Sequence, residues 1–244
     1  TAQFLVKSQS LIANCQLPLY ALAWTTTPWT LPSNTALCVG PKIDYVIVKG
    51  ENPYTKLEAL YLLAEARLAA YSKELGETPE VLWKGKGADL VGIEYEQLIP
   101  WANPGEGAFK IIPGDYVTTE DGTGIVHIAP TFGADDAFVA KKAGVPGMVF
   151  ITKKGENRPM VDMTGKFFLL EDLDDDFVKN QVHVEAYEQW AGRYVKNAYD
   201  ANLTDKDETL DVSICIWLKG ENKAFRIEKH VHNYPHCWRT DKPV

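Results

Sequence analysis

Two prolines, Pro28 and Pro32, interrupt a run that otherwise suits a strand: Trp24-Thr25-Thr26-Thr27-Pro28-Trp29-Thr30-Leu31-Pro32-Ser33-Asn34-Thr35-Ala36. Proline has no N–H to give to a sheet ladder, so this stretch cannot be a central strand and is expected at a strand end or a sheet edge. Thr25, Thr26 and Thr27 line up three hydroxyls, each able to donate one hydrogen bond and accept others. Trp29 adds a flat apolar surface. Such a mixture suits a pocket wall that holds a polar ligand.

The rest of the chain reads as alternating strands and helices. Residues 3–7, 18–24, 34–39 and 45–49 are β-prone, with Gly40-Pro41 as a break. Leu57 to Leu75 predicts a helix, because Leu60, Leu63, Ala64, Leu68 and Tyr71 fall near a 3.6-residue period, and Gly76 follows as a C-cap. Further strands are expected at 81–84, 87–92, 109–112, 116–118, 145–151 and 225–232. Helices are expected after Asp135-Asp136, in the acidic 171–176 stretch, at 187–199 and around Leu210, Ile214, Trp217 and Leu218. For Asp135 or Asp136 the plain structural role is a helix N-cap.

A second distinctive stretch is Gly122-Thr123-Gly124-Ile125-Val126-His127-Ile128-Ala129-Pro130, followed by Gly133-Ala134-Asp135-Asp136. A histidine within an apolar strand is, taken alone, most simply a hydrogen-bonded structural residue. Other chemistries fare less well. No Gly-x-Ser-x-Gly elbow is present for a serine hydrolase. His230, His232, His236 and Cys237 could suggest a metal hydrolase, but no carboxylate motif completes the set. The four cysteines, Cys15, Cys38, Cys215 and Cys237, are scattered, which argues against a disulfide framework or a four-cysteine zinc site. A net charge of −8 speaks against a free-standing nucleic-acid-binding barrel. Lys84-Gly85-Lys86, Lys141-Lys142 and Lys153-Lys154 read as solvated faces. No signal peptide or long apolar span is read, and a cytoplasmic protein without a membrane partner is expected.

Three motifs together resemble the editing domain of isoleucyl-tRNA synthetase. They are the threonine-rich stretch, the Gly122–Asp136 stretch, and Tyr234-Pro235-His236-Cys237-Trp238-Arg239. They occur in the family order and span residues 24 to 239. The related valyl and leucyl enzymes usually carry Thr-Thr-Arg-Pro in the first motif, whereas this chain has Thr25-Thr26-Thr27-Pro28, which favours the isoleucyl branch.

The resemblance implies a mixed α and β fold, with a β-barrel-like core flanked by helices. It implies one editing domain over 1–244, with a helical and strand insertion around 165–222 and a return to the catalytic core at 233–244. The implied reaction is hydrolysis of valine from mischarged tRNA(Ile), the partners being its 3′ CCA end and the rest of the synthetase chain. A missing methylene is worth only about 1–3 kcal/mol in a binding pocket, so a second, smaller pocket must remove the error; isoleucyl-tRNA synthetase is itself the usual example of this limit. By matching positions, Asp136 would pair with the α-ammonium of the amino acid. His127 would line the side-chain pocket and exclude isoleucine. Thr25, Thr26, Thr27 and Asn34 would hold the terminal adenosine and the ester, with Trp29 as an apolar wall. Thr26, Thr27, His127 and Asp136 are the residues given to catalysis. No metal or cofactor is expected for editing. ATP and magnesium would belong to an aminoacylation core, whose His-x-Gly-His and Lys-Met-Ser-Lys-Ser motifs this chain lacks. With no initiating Met either, the chain reads as an excised editing insertion.

Overall fold

The computed structural model describes residues 1–7, 11–12, 16–204 and 206–229. The motif at 234–239 and the histidines from 230 onward lie outside these, as do Cys15 and Cys237.

The elements run as β1 (Ala2–Leu5), β2 (Leu19–Ala23), β3 (Ala36–Val39), β4 (Asp44–Glu51), β5 (Glu58–Ala64), α1 (Ser72–Leu75), β6 (Val81–Lys86), β7 (Lys110–Pro113), β8 (Ile125–Ile128), α2 (Ala134–Lys142), β9 (Phe150–Ile151), β10 (Asn157–Arg158), α3 (Asp175–Gln181), α4 (Val184–Tyr187) and α5 (Leu210–Gly220). Five strands form one sheet in the order β1-β2-β5-β4-β6, and three form another in the order β7-β3-β8.

The two sheets join into a barrel-like ring. Residues 92–96 bridge β1 to β7: Lys7 donates its N–H to Glu94 O at 2.9 Å, Glu96 to Leu5 O at 2.7 Å, and Ile111 to Ile93 O at 2.8 Å. On the other side Trp24 bridges to Val126, carrying β2 onto β8. The Thr123 hydroxyl donates to Leu22 O at 2.6 Å beside this seam. Leu37, Val39, Ile111 and Ile125 fill the ring's interior with Phe4, Ala21 and Tyr95. The aromatic group Trp101, Phe167, Tyr187 and Trp190 extends the same core into the region of α3 and α4.

The expected helix over Leu57–Leu75 is not there. Residues 58–64 are the central strand β5, parallel to β2 and antiparallel to β4. Its side chains are buried on both faces, Leu60 and Leu62 in one cluster and Tyr61 and Leu63 in another. A strand covered on both sides is apolar throughout, and such a run matches a helical period as well as a strand. A 3-10 segment, Glu65–Tyr71, and the one-turn α1 follow, and Gly76 ends them at φ 86°.

Smaller corrections have local causes. Gly87–Leu90 is a 3-10 turn closed by Asp89, which accepts the Lys86 N–H at 2.8 Å. Residues 116–118 form no strand, and of 145–151 only Phe150–Ile151 does. Residues 188–196 are mainly turns, and 225–229 form no strand. The acidic stretch does begin a helix: Asp174 caps α3 by accepting the Phe177 N–H at 2.9 Å. Lys84 and Lys86 pair with Glu65 and Asp44 on the surface.

Candidate editing site

The threonine-rich stretch lies at a strand end, between β2 and β3, and not along a sheet edge. Past the single bridge at Trp24, residues Pro28–Ser33 make a 3-10 helix with Thr27 as its N-cap residue. Pro28 occupies the first position, where its missing N–H has no cost. Three residues complete each turn of this helix, so residues i and i+3 lie on one side. That puts Thr30 over Thr27.

The outcome is a chain of hydroxyls. Thr25 Oγ1 accepts the Thr27 N–H at 3.0 Å and lies 3.3 Å from Thr27 Oγ1. Thr27 Oγ1 lies 3.4 Å from Thr30 Oγ1, and Thr30 donates its proton to Thr27 O at 2.8 Å. Thr30 Oγ1 is 3.2 Å from His127 Nε2. Since the Thr30 proton is already committed, this network assigns the His127 proton to Nε2, which donates, and leaves Nδ1 as the acceptor. Nδ1 is buried and has no hydrogen-bond partner. Burial pushes the His127 imidazole down to about 4, so it is neutral at physiological pH.

His127 reaches this position through strand register. It pairs with Leu37 of β3, so it faces the ring interior with Leu37 and Ile125. The alternate residues Ala36, Cys38 and Ile128 face outward and are covered by Val139 and Ala140 of α2. Asp136 therefore comes from the helix on the opposite face and reaches the end of β8. Its Oδ2 accepts the Ala129 N–H at 2.8 Å, two residues beyond His127. Gly133, not an aspartate, is the N-cap residue of α2. Burial raises the Asp136 pKa and Asp135 adds to the rise, while the Ala129 N–H opposes both.

Trp29 is half-buried and meets Phe132 edge-on, with ring centroids 4.9 Å apart. Phe132 lies in the turn between Ala129 and Asp136, so this contact spans the two motifs. The Trp29 backbone N–H goes to Asp211 Oδ1 of α5 at 2.8 Å. Thr26 is half-buried and outside the hydroxyl chain. Asn34 is 2% exposed. Its amide donates to Ala36 O at 2.8 Å and accepts the Tyr95 hydroxyl at 2.7 Å, so it braces the ring from inside. Ser33, Thr35 and Thr131 add buried, unpaired hydroxyls on the segments flanking His127.

Thr30 was absent from the residues assigned by sequence. Its signal was the spacing Thr27-x-x-Thr30, which has meaning only in a tight helix. Asp211 had no signal near the motif. Two open cavities, of about 400 and 350 Å³, lie elsewhere; the second touches Asp135 but includes none of the threonines. Among the described residues, no three His, Cys, Asp or Glu side chains gather as a metal-binding group, and no helix is long and apolar enough to cross a membrane.

The fold is that of a synthetase CP1 domain. The crystal structure of GlLeuRS-CP1 matches it with a TM-score of 0.52 at 16% identity, over 93% of this chain and 98% of that one. The sequence narrows the class. The chain is 64% identical over 239 residues to isoleucine–tRNA ligase of Bacteroides fragilis and 57% identical over 242 residues to that of Porphyromonas gingivalis, each match covering 92% of this chain. Isoleucine–tRNA ligase of Cytophaga hutchinsonii is 46% identical over the whole chain. Over the segment it spans, the chain belongs to the isoleucine–tRNA ligase family. That segment is 21% to 22% of the length of these relatives. No protein-family model matches the chain.

Proposed function

We propose that this chain is the proofreading part of an isoleucine–tRNA ligase and hydrolyses valine from mischarged tRNA(Ile). The observation that carries the reading is the hydroxyl chain from half-buried Thr25 through Thr27 and Thr30 to buried, neutral His127. It offers donors and acceptors in a line, beside the apolar edge of Trp29.

In this reading water adds to the ester carbonyl, the bond to the terminal ribose oxygen breaks, and the ribose leaves as a free hydroxyl with valine as the acid. The threonines hold the ester and the terminal adenosine. His127 bounds the side-chain pocket as a neutral ring, which suits an apolar amino acid better than a cation would. Asp136 receives the α-ammonium; Oδ2 is held by Ala129, and a charge-assisted bond to the ammonium restores its carboxylate character. The protein acts by orientation and by preset dipoles.

The test is release of amino acid from Val-tRNA(Ile) and Ile-tRNA(Ile) by this chain. Selective release of valine is expected, and equal release of both would refute the size sieve.

A further inference from the structure

We infer that Asp211 is a positioning residue for the threonine-rich turn, a cap delivered to it from α5. The inference rests on the proposed site, because its consequence is the placement of Thr30 and His127.

The turn Pro28–Ser33 starts without a local cap: the Thr27 side chain makes no capping bond, and Pro28 has no N–H. The Trp29 N–H is then the first donor of the turn, and donors at a helix start have no acceptor within their own segment. Asp211 Oδ1 accepts it at 2.8 Å from 182 residues further along the chain.

Asp211 is held to this task by its own helix. It occupies the second position of α5, whose N-cap Thr209 accepts the Val212 N–H at 3.3 Å. A carboxylate in a first helical turn is favoured by the helix field. Leu210, Ile214 and Leu218 seat α5 in the same core as Leu31 of the turn. Beyond α5 the chain is tied to β1, with Gln3 donating to Lys223 O at 3.0 Å and Phe225 to Thr1 O at 2.9 Å. The carboxylate is thus presented from a fixed frame.

Burial raises the Asp211 pKa to about 6, and the Trp29 N–H is what opposes that rise. A charged group kept in so apolar a setting for one backbone donor is a constraint on that donor. Thr30 is the next residue along, and it carries the His127 contact. Asp211 acts through the backbone of Trp29, whose N–H it accepts, and not through a bond of its own to the hydroxyl chain.

The experiment compares wild type, Asp211→Ala and Asp211→Asn in two readouts: hydrogen exchange of the Trp29 amide, and steady-state valine release from Val-tRNA(Ile). Asp211→Ala is expected to speed Trp29 exchange at least tenfold and to lower kcat about tenfold or more, with KM within about threefold. Asp211→Asn keeps a neutral and weaker acceptor and is expected to fall between wild type and Asp211→Ala, with Trp29 exchange several-fold faster than wild type and kcat partly recovered. Unchanged exchange and kcat in Asp211→Ala would overturn the inference. If Asp211→Ala does not fold, Asp211→Asn decides: Trp29 exchange several-fold faster than wild type supports the inference, and exchange at the wild-type rate overturns it. If wild type releases no valine, the proposed function falls, while the exchange readout still judges Asp211.

Discussion

His127 Nε2 lies 3.2 Å from Thr30 Oγ1, and Thr30 gives its proton to Thr27 O at 2.8 Å, which assigns the donor role in the first contact to Nε2. One threonine therefore fixes both the tautomer of the histidine and the pitch of the turn. Thr30→Val keeps the shape but removes the acceptor. A buried N–H left unpaired costs about 1–3 kcal/mol. The variant is expected to lose stability of that order in urea unfolding, and valine release is expected to fall about tenfold or more.

The histidine also makes stability depend on pH. Its folded pKa of about 4 lies below the ordinary 6.5. Between these values the unfolded chain takes a proton that the folded chain refuses, so this contribution is complete above pH 6.5 and is lost as pH falls towards 4. At about 1.4 kcal/mol per pH unit the loss reaches up to about 3 kcal/mol. Urea unfolding of wild type and His127→Gln across this range measures it: the stability gap should change with pH in that direction.

Asp211 has the opposite sign. Its folded pKa of about 6 lies above the ordinary 3.8, so the folded chain binds the proton more tightly. Its contribution is greatest below pH 4 and is lost as pH rises through 6. Asp211→Asn is therefore expected to gain roughly 2 kcal/mol in stability at pH 7 while loosening the turn it holds. Unfolding at pH 7 and pH 4 checks this, since the gain should vanish at the lower pH.

Asp136 combines a structural bond with a charge, and two substitutions separate them. Asp136→Asn retains an acceptor for the Ala129 N–H, so its melting temperature is expected to stay within a few degrees of wild type. Asp136→Ala loses that bond, at about 1 kcal/mol. Both should raise KM for valine release, because both remove the charge. Normal KM in Asp136→Asn would show that the carboxylate does not meet the α-ammonium.

Gly124 tests the approach to β8. It has φ 74°, and a Cβ there would lie 2.4 Å from Ala64 Cβ. Gly124→Ala is expected to cost about 2 kcal/mol or more through strain and overlap combined. Adding Ala64→Gly relieves the overlap but not the φ, so it should recover part of the loss in thermal unfolding.

Much of this was legible in the sequence. Tyr45–Lys49 and the 18–24 run alternate or cluster as strands do, and they are strands. Leu210, Ile214 and Leu218 keep helical spacing, and they line one side of α5. Leu57–Leu75 misled because double-sided burial erases alternation. Thr25 and Thr27 stand out in the sequence and share one hydroxyl chain in the structure, whereas Thr30, which links them to His127, has no sequence signal outside a tight helix. The site was illegible where strand register decides, since only the pairing of His127 with Leu37 gives the ring a face. Asn34 sits in the motif, yet its amide is turned inward to Ala36 and Tyr95. Asp211 could not be read at all, because a cap supplied across 182 residues leaves no local pattern.

The seam at Trp24 and Val126 has a further meaning. Two strands zipped along their length keep a spacing that side chains cannot alter. Here the threonine turn is tied to the histidine strand at both ends, by the Trp24–Val126 bridge and by the Thr35 N–H to Ile128 O at 2.9 Å, and between these ties Thr30 meets His127 and Trp29 meets Phe132. The space between the two ties is thus filled by side chains and not by ladder hydrogen bonds. Under the proposed function, a single substitution between the two ties would reshape the pocket while both ends of the turn stay pinned.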